Sequence, residues 1–460
     1  MNAAAPCDAL VFFGATGDLA YKQIFPSLQA MVSDGRLDVP IVGVAKAGWG
    51  VEQLRDRARE SLAEHGGVDE TAFAKLCELL RYVDGDYNDP ATFTELRAQL
   101  GDARRPLHYL AIPPSLFGVV AEGLQASGSA ENARIVVEKP FGRDLSSAQE
   151  LNATLHSVFP ETAIFRIDHY LGKEPVENLV YFRFANSFLE PIWNRDHVDS
   201  IQITMAESFG VADRGRFYEE AGTIRDVVQN HMLQVTALLA MEPPSRDAVD
   251  ALRDHKAMVL RSMRTLQPED VVRGQYEGYR QVDGVAQEST VETYVAVRLH
   301  IDSWRWAGVP ILIRAGKCLP LTAAEVAVKL RRPPRVVFDE SRPGPANIVR
   351  FRLQPEVEIA LHARAKKEGQ GMSGEDVELK VLEDTTEDMT PYERLLSDAM
   401  RGDPTLFTRQ DSVEAAWRVV DGILGDSTPV HPYVQGSWGP AEADRLVRDV
   451  GGWRDPAPSA

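Results

Sequence analysis

The sequence predicts two domains of different class. Residues 1–172 read as an α/β domain on a parallel sheet, and residues 173–460 as an α+β domain on a large, mainly antiparallel sheet covered by helices. Three observations predict this. A chain of 460 residues exceeds what one ordinary hydrophobic core organises. Its first third alternates short apolar runs with longer amphipathic ones. Its remainder carries many short period-two runs with few long helices between them.

In the first part, Ala9–Phe13, Pro40–Ala45, Leu107–Ile112, Arg134–Glu138 and Ala163–Asp168 read as strands. Val51–His65 and Glu70–Leu80, rich in Glu, Arg, Leu and Ala, read as helices. Apolar strands alternating with helices imply a parallel sheet with helices on both faces, and ligands of such sheets sit beyond the carboxyl ends of the strands. In the second part, Ser200–Glu207, Thr293–Ile301, Ile311–Arg314, Glu325–Arg331, Ile348–Leu353, Val357–Ala363 and Asp376–Leu382 read as strands of an antiparallel sheet with one covered face. The clearest helix there is Gly222–Met241, stopped by Pro243 and Pro244, which cannot continue it.

Composition narrows the function. With 44% hydrophobic and 26% charged residues the chain reads as a soluble globular protein. Its formal net charge of -18 argues against nucleic acid and anionic membrane as partners. It also means that an anionic ligand must be met by basic side chains gathered locally. Cys7, Cys77 and Cys318 form no CxxC pair, so neither a disulfide framework nor a metal site is expected, and a reducing cytoplasm is. The run Ala9–Phe13 is too short for a signal peptide or a membrane span.

Gly14-Ala15-Thr16-Gly17-Asp18-Leu19-Ala20 follows the first strand and opens a helical pattern. Glycines there let the backbone turn tightly beside a pyrophosphate, and the helix start offers free N–H groups to it. That is a Rossmann-like dinucleotide loop, although its spacing departs from GxGxxG; a plain strand-to-helix turn is the alternative. The second strand ends in Val44-Ala45-Lys46-Ala47-Gly48. A basic residue at this point meets the 2′-phosphate of NADP, where an acidic one would accept the ribose hydroxyls of NAD. Lys46 therefore favours NADP, and as a single flexible charge it still admits NAD.

Two clusters carry chemistry. Asp168, His169, Tyr170 and Lys173 fall where the fifth strand ends, and His, Tyr and Lys together donate several hydrogen bonds to a phosphate dianion. Asp226 and His231 lie on the predicted helix, five residues and about 500° of α-helical rotation apart, so that their directions differ by roughly 140°. Oxidising an alcohol needs a base as hydride leaves, and imidazole suits that role; a carboxylate on the other ring nitrogen fixes its tautomer.

Four segments, Gly14–Ala20, Glu138-Lys139-Pro140-Phe141-Gly142, Asp168–Glu174 and Ile224–His231, resemble the glucose-6-phosphate dehydrogenase family. Arg214–Glu220 and Arg314-Ala315-Gly316-Lys317 are similar to further motifs of that family, in order along the chain. The resemblance implies His231 as the general base at the C1 hydroxyl and Asp168 as its partner. It implies His169, Tyr170 and Lys173 as ligands of the sugar phosphate, with Glu207, Asp226 and Lys317 on the substrate's hydroxyls or phosphate. Lys139 would lie between substrate and coenzyme, and Gly14, Thr16, Gly17, Asp18, Leu19 and Lys46 around the dinucleotide. It further implies glucose 6-phosphate as substrate, NADP as cofactor, no metal, entry into the pentose phosphate pathway, and a homodimer or homotetramer.

Two departures stand out. The family's lysine after the glycine loop is replaced by Gln23, and Cys318–Thr322 carries no basic residue where relatives often do. Losing a charged hydrogen bond costs about 1.5–3 kcal/mol, so weaker affinity for glucose 6-phosphate is expected. The rival readings are a dehydrogenase of another sugar phosphate or free aldose, and a catalytically idle paralogue; the latter is disfavoured by the retained base and glycine loop.

Overall fold

The computed structural model describes residues 5–245, 250–335, 337–338, 344–369, 371–384 and 389–458. The chain divides into two compact units, one comprising Met1–Lys173, Asp247–Arg253 and Glu387–Glu414, the other Glu174–Arg246, Asp254–Thr386 and Ala415–Ala460.

The first unit is built on a six-stranded parallel sheet of β1 (Ala9–Phe13), β2 (Ile41–Ala45), β3 (Leu80–Asp84), β4 (Pro106–Leu110), β5 (Arg134–Val137) and β6 (Ile164–Arg166), in the order β3-β2-β1-β4-β5-β6. Strands β1, β2 and β4 are buried along their whole length, as expected of parallel strands covered on both faces. Leu10 and Phe12 join one core with Phe25, Leu28 and Leu54, while Phe13 meets Phe93 and Tyr87 on the opposite side.

Strand β3 was not legible as a strand. The helix Glu70–Leu79 runs into Leu80 with no turn residue between, so the sequence reads Leu80 as the helix's last residue. A second difference concerns residues 389–414, which the sequence places in the second domain. They fold with the first unit because helix Pro391–Arg401 lends Leu395, Leu396 and Ala399 to its core, and Met400 O accepts the Cys7 N–H at 2.8 Å.

The second unit holds a nine-stranded sheet of β7 (Val198–Ala206), β8 (Val271–Tyr276), β9 (Tyr294–Leu299), β10 (Ile311–Gly316), β11 (Ala323–Leu330), β12 (Ile348–Gln354), β13 (Val357–Lys366), β14 (Gly374–Asp384) and β15 (Val430–Tyr433). Their order is β14-β13-β12-β11-β7-β10-β9-β8-β15. Among the described residues, only the β7–β10 and β8–β15 pairings are parallel, so the expected mainly antiparallel sheet is present. Helices lie over one face, where Phe182, on helix Glu174–Ala185, meets Phe351 of β12 edge-on.

The predicted helix Gly222–Met241 is three pieces. Gly222, at φ 64° and ψ 173°, breaks the helix Gly215–Thr223 near its end. A π-helical segment follows over Ile224–Met232, and an α-helix over Leu233–Ala240. The last carbonyls of that helix, orphaned by its end, are taken by buried donors: Leu239 O by Arg183 Nη1 at 3.0 Å and Trp193 Nε1 at 2.8 Å, Ala240 O by Trp306 Nε1 at 2.8 Å. Cys7, Cys77 and Cys318 are free thiols. Among the described residues, no helix is long and apolar enough to cross a membrane.

Candidate active site

In the first unit, the turn after β1 requires glycine. Gly14 sits at φ +79°, and a Cβ there would lie 2.2 Å from Ala111 O, so a side chain is excluded both by strain and by space. Its N–H is held by Val44 O and Tyr87 Oη, each at 2.9 Å. Gly17 N–H closes the turn on Gly14 O at 2.9 Å, and Tyr21 N–H then bonds Gly17 O at 3.1 Å. Helix begins at Asp18, so Thr16, Gly17, Asp18 and Leu19 form a glycine turn feeding a helix start with N–H groups free of intrahelical partners. The arrangement fits a dinucleotide pyrophosphate.

Lys46 lies just past the end of β2, as expected, and pairs with Asp86, Nζ to Oδ2 at 2.8 Å. Asp84 anchors the same loop by accepting the N–H groups of Ala47 at 2.9 Å and Gly48 at 2.8 Å. Those two bonds, with others from the Tyr82 hydroxyl and Trp49 N–H, hold its carboxyl below the usual range. The sequence reading singled out neither aspartate, because both belong to the unrecognised third strand and the turn after it.

At the end of β5, Glu138 is buried and accepts the Tyr109 hydroxyl, with Tyr392 as a second phenolic partner. Burial pushes its carboxyl up to about 7, against the opposing pull of those phenols and of Lys139. Lys139 follows it, across a cis peptide bond to Pro140. The stretch after β6 is a run of turns: Asp168 Oδ1 accepts Tyr170 N–H at 3.0 Å, Asp168 O accepts Leu171 N–H at 3.0 Å, and His169 O accepts Gly172 N–H at 3.2 Å. Asp168 and Tyr170 are buried, and His169 and Lys173 are half-buried. Lys173 Nζ sits 4.7 Å over the Tyr170 ring.

Helix Pro391–Arg401 supports this loop. The Tyr392 ring lies parallel to that of His169 with centroids 6.3 Å apart, and Arg394 Nη1 donates to Gly172 O at 3.1 Å. A Cβ on Gly172 would come within 3.0 Å of Pro391 O. Gln23, at the position of the missing lysine, is exposed on a short π-helical stretch, Ala20–Ile24.

In the second unit, Glu207 follows β7 and Lys317 follows β10, and the two strands run side by side in parallel. Lys317 Nζ is 2.7 Å from Glu207 Oε2, with the lysine almost wholly buried. Phe209 and Tyr218 present their rings to the ammonium at 5.1 and 5.2 Å. Tyr433 Oη secures Lys317 O at 2.7 Å. Cys318–Thr322, the second departure, is bound into the same corner: Cys318 N–H donates to Phe209 O at 3.0 Å, and Thr322 Oγ1 accepts Ser208 N–H at 3.0 Å.

Asp226 and His231 both lie in the π-helical segment, and His231 is buried. The expected separation of about 140° assumed α-helical winding. A π-helix bonds i to i+5, and Leu233 N–H indeed reaches back to Val228 O. Residues five apart therefore fall close to one turn from each other, which brings Asp226 and His231 onto a common face. No feature of the apolar periodicity signals that change of winding.

Comparisons with known proteins cover the whole arrangement. Residues 11–178 match the family model described as glucose-6-phosphate dehydrogenase, NAD binding domain, and residues 180–454 match its C-terminal domain. The chain is 47% identical over 452 residues to glucose-6-phosphate 1-dehydrogenase 1 of Mycobacterium tuberculosis, covering 98% of this chain and 96% of that one. The crystal structure of glucose-6-phosphate 1-dehydrogenase from Mycobacterium avium superimposes with a TM-score of 0.93 at 47% identity, over 99% of this chain and 100% of that one. A glucose-6-phosphate dehydrogenase in complex with its substrate glucose-6-phosphate gives a TM-score of 0.91 at 33% identity, over 98% of this chain and 100% of that one. Matched in both halves and along nearly its full length, this chain belongs to the glucose-6-phosphate dehydrogenase family of oxidoreductases.

Proposed function

We propose that the protein oxidises glucose 6-phosphate at C1 to 6-phosphoglucono-1,5-lactone with NADP as hydride acceptor, at the entry to the pentose phosphate pathway. The observation that carries the reading is full-length membership of the family joined to a built dinucleotide turn at Gly14–Leu19. When bound, the nicotinamide would supply the hydride acceptor, so the reading calls for no metal.

His231 takes the proton of the C1 hydroxyl as the hydride departs. Asp168 orients the imidazole and stabilises the imidazolium that forms. His169, Tyr170 and Lys173 receive the sugar phosphate. Lys317, held by Glu207, and Asp226 meet the hydroxyls or the phosphate, and Lys139 stands between substrate and coenzyme. Thr16, Gly17, Asp18 and Leu19 cradle the pyrophosphate, and Lys46 meets the 2′-phosphate, which favours NADP over NAD. A homodimer or homotetramer in the cytoplasm accompanies this reading.

One observation keeps a related substrate in view. Gln23 is neutral and Thr322 is engaged with Ser208, so neither supplies a cation to a phosphate, and an unphosphorylated aldose is rejected less strongly. The test is absorbance at 340 nm with glucose 6-phosphate, other sugar phosphates or free glucose, each with NADP and NAD. Fastest turnover with glucose 6-phosphate and NADP supports the proposal. Turnover with none of the sugars, despite tight dinucleotide binding, contradicts it.

A further inference from the structure

We infer that Glu292 is a positioning residue for the reaction: it fixes the start, and so the register, of the π-helical segment that carries Asp226 and His231. The inference rests on the reading of His231 as the base.

Donors from three residues converge on this one buried side chain and its carbonyl. Thr223 N–H and Thr223 Oγ1 bond to Glu292 O at 3.1 and 3.2 Å. Ile224 N–H, the first of the π segment, bonds to Glu292 Oε1 at 3.1 Å. Arg273 holds Oε2, through Nη2 at 3.0 Å and Nε at 3.2 Å. A helix start exposes N–H groups that lack intrahelical partners and attracts negative charge, so a carboxylate is well matched to that position. A buried carboxylate also needs a cation, and Arg273, itself buried, is the one supplied.

Arg273 is in turn fixed to the sheet. It lies in β8, and its guanidinium donates to Thr290 O at 2.7 Å and Thr428 O at 2.9 Å. The start of the segment is thereby tied through Glu292 to two backbone points outside it. The glycine before it belongs to the same device. Gly222 has φ +64°, and a Cβ there would come to 2.5 Å from Glu292 Oε1, so the close seat of the carboxylate depends on glycine. Thr223 adds a lateral tie, since its Oγ1 also bonds Tyr218 Oη at 2.9 Å, and the Tyr218 ring faces Lys317.

The consequence follows from winding. Asp226 is two residues beyond Ile224, and His231 follows after five more. A rotation or slip at Ile224 is therefore passed to both side chains in the same sense. Displacing a reacting group by about 1 Å costs on the order of a hundredfold in rate, whereas the dinucleotide turn, in the other unit, is untouched.

The experiment uses two variants of the full chain that attack the contact from its two sides. Glu292→Gln offers one acceptor where two are needed, and Gly222→Ala drives a methyl into the carboxylate. Hydrogen–deuterium exchange of the stretch 218–232 and the dinucleotide Kd by fluorescence are measured on the proteins without sugar, beside kcat and KM for glucose 6-phosphate. The expected result is exchange at Thr223 and Ile224 faster by about tenfold or more, kcat lower by roughly tenfold to a hundredfold, and a dinucleotide Kd within about twofold of the parent. Parental exchange and kcat in both variants overturns the inference. So does a dinucleotide affinity that falls in step with kcat, since a purely structural role would produce that. If the parent itself does not turn over glucose 6-phosphate, the reaction assignment alone fails, and exchange still decides whether Glu292 sets the register.

Discussion

Lys317 Nζ lies 2.7 Å from Glu207 Oε2 at the ends of two parallel strands, with the lysine nearly buried and two aromatic rings facing it. A cation held in this way is already aimed, so little freedom is lost when an anionic or hydroxylated ligand arrives. Losing a charged hydrogen bond costs about 1.5–3 kcal/mol. Lys317→Ala is therefore expected to raise KM for glucose 6-phosphate by roughly tenfold to a hundredfold and to leave KM for NADP unchanged. Steady-state kinetics with each substrate varied in turn checks both halves.

The cofactor end offers a finer adjustment. Lys46 is paired with Asp86 on the surface, so under the proposed reading a 2′-phosphate would have to compete with that carboxylate. Asp86→Asn is expected to tighten NADP severalfold and leave NAD unchanged, whereas Lys46→Ala is expected to weaken NADP by about tenfold, removing the preference. Fluorescence titration with both dinucleotides measures this without any sugar present.

Glu138 predicts a pH signature. Burial raises its folded-state pKa to about 7 from 4.5. The folded state thus holds this proton more tightly than the unfolded chain, so the contribution to stability is complete below about pH 4.5. It is lost as pH rises towards 7, with little change above. At 1.36 kcal/mol per pKa unit the whole effect is about 3 kcal/mol. Glu138→Gln has no such proton, so its thermal midpoint relative to the parent is expected to climb between pH 5 and 7.5 and then level off. A difference independent of pH across that range contradicts the raised pKa.

Gln23 is exposed on the stretch after the glycine turn. Restoring the cation with Gln23→Lys is expected to lower KM for glucose 6-phosphate by about tenfold and to leave kcat within about twofold. An unchanged KM would mean that this position does not face the phosphate.

Much of this was legible in the sequence, and the failures have physical causes. β1 and β2 showed as continuous apolar runs because both faces are buried, and β7 because its alternation matches the pleat. β3 abuts a helix with no punctuating residue. β8 carries Gly274, which packs against Pro440, and β15 carries Pro432 in its middle, so neither reads as a strand. The glycine turn and the Asp168–Lys173 loop stand out because their residues are clustered along the chain. Tyr392 stayed hidden because it reaches His169 and Glu138 from more than two hundred residues away. The π-helical winding stayed hidden because apolar spacing over nine residues does not separate it from α. Glu292 offered no local signal, since its partners Ile224 and Arg273 come from separate parts of the chain.

Hydride removal from C1 of glucose 6-phosphate with His231 as the base is the proposal on which the other roles depend. Its most direct test is the turnover of His231→Asn, an uncharged replacement of similar size, with glucose 6-phosphate and NADP, beside calorimetric titration of the sugar phosphate. The expected kcat is lower by about a hundredfold to ten-thousandfold, with the affinity for glucose 6-phosphate within a few fold of the parent. A variant that turns over at the parental rate would contradict it.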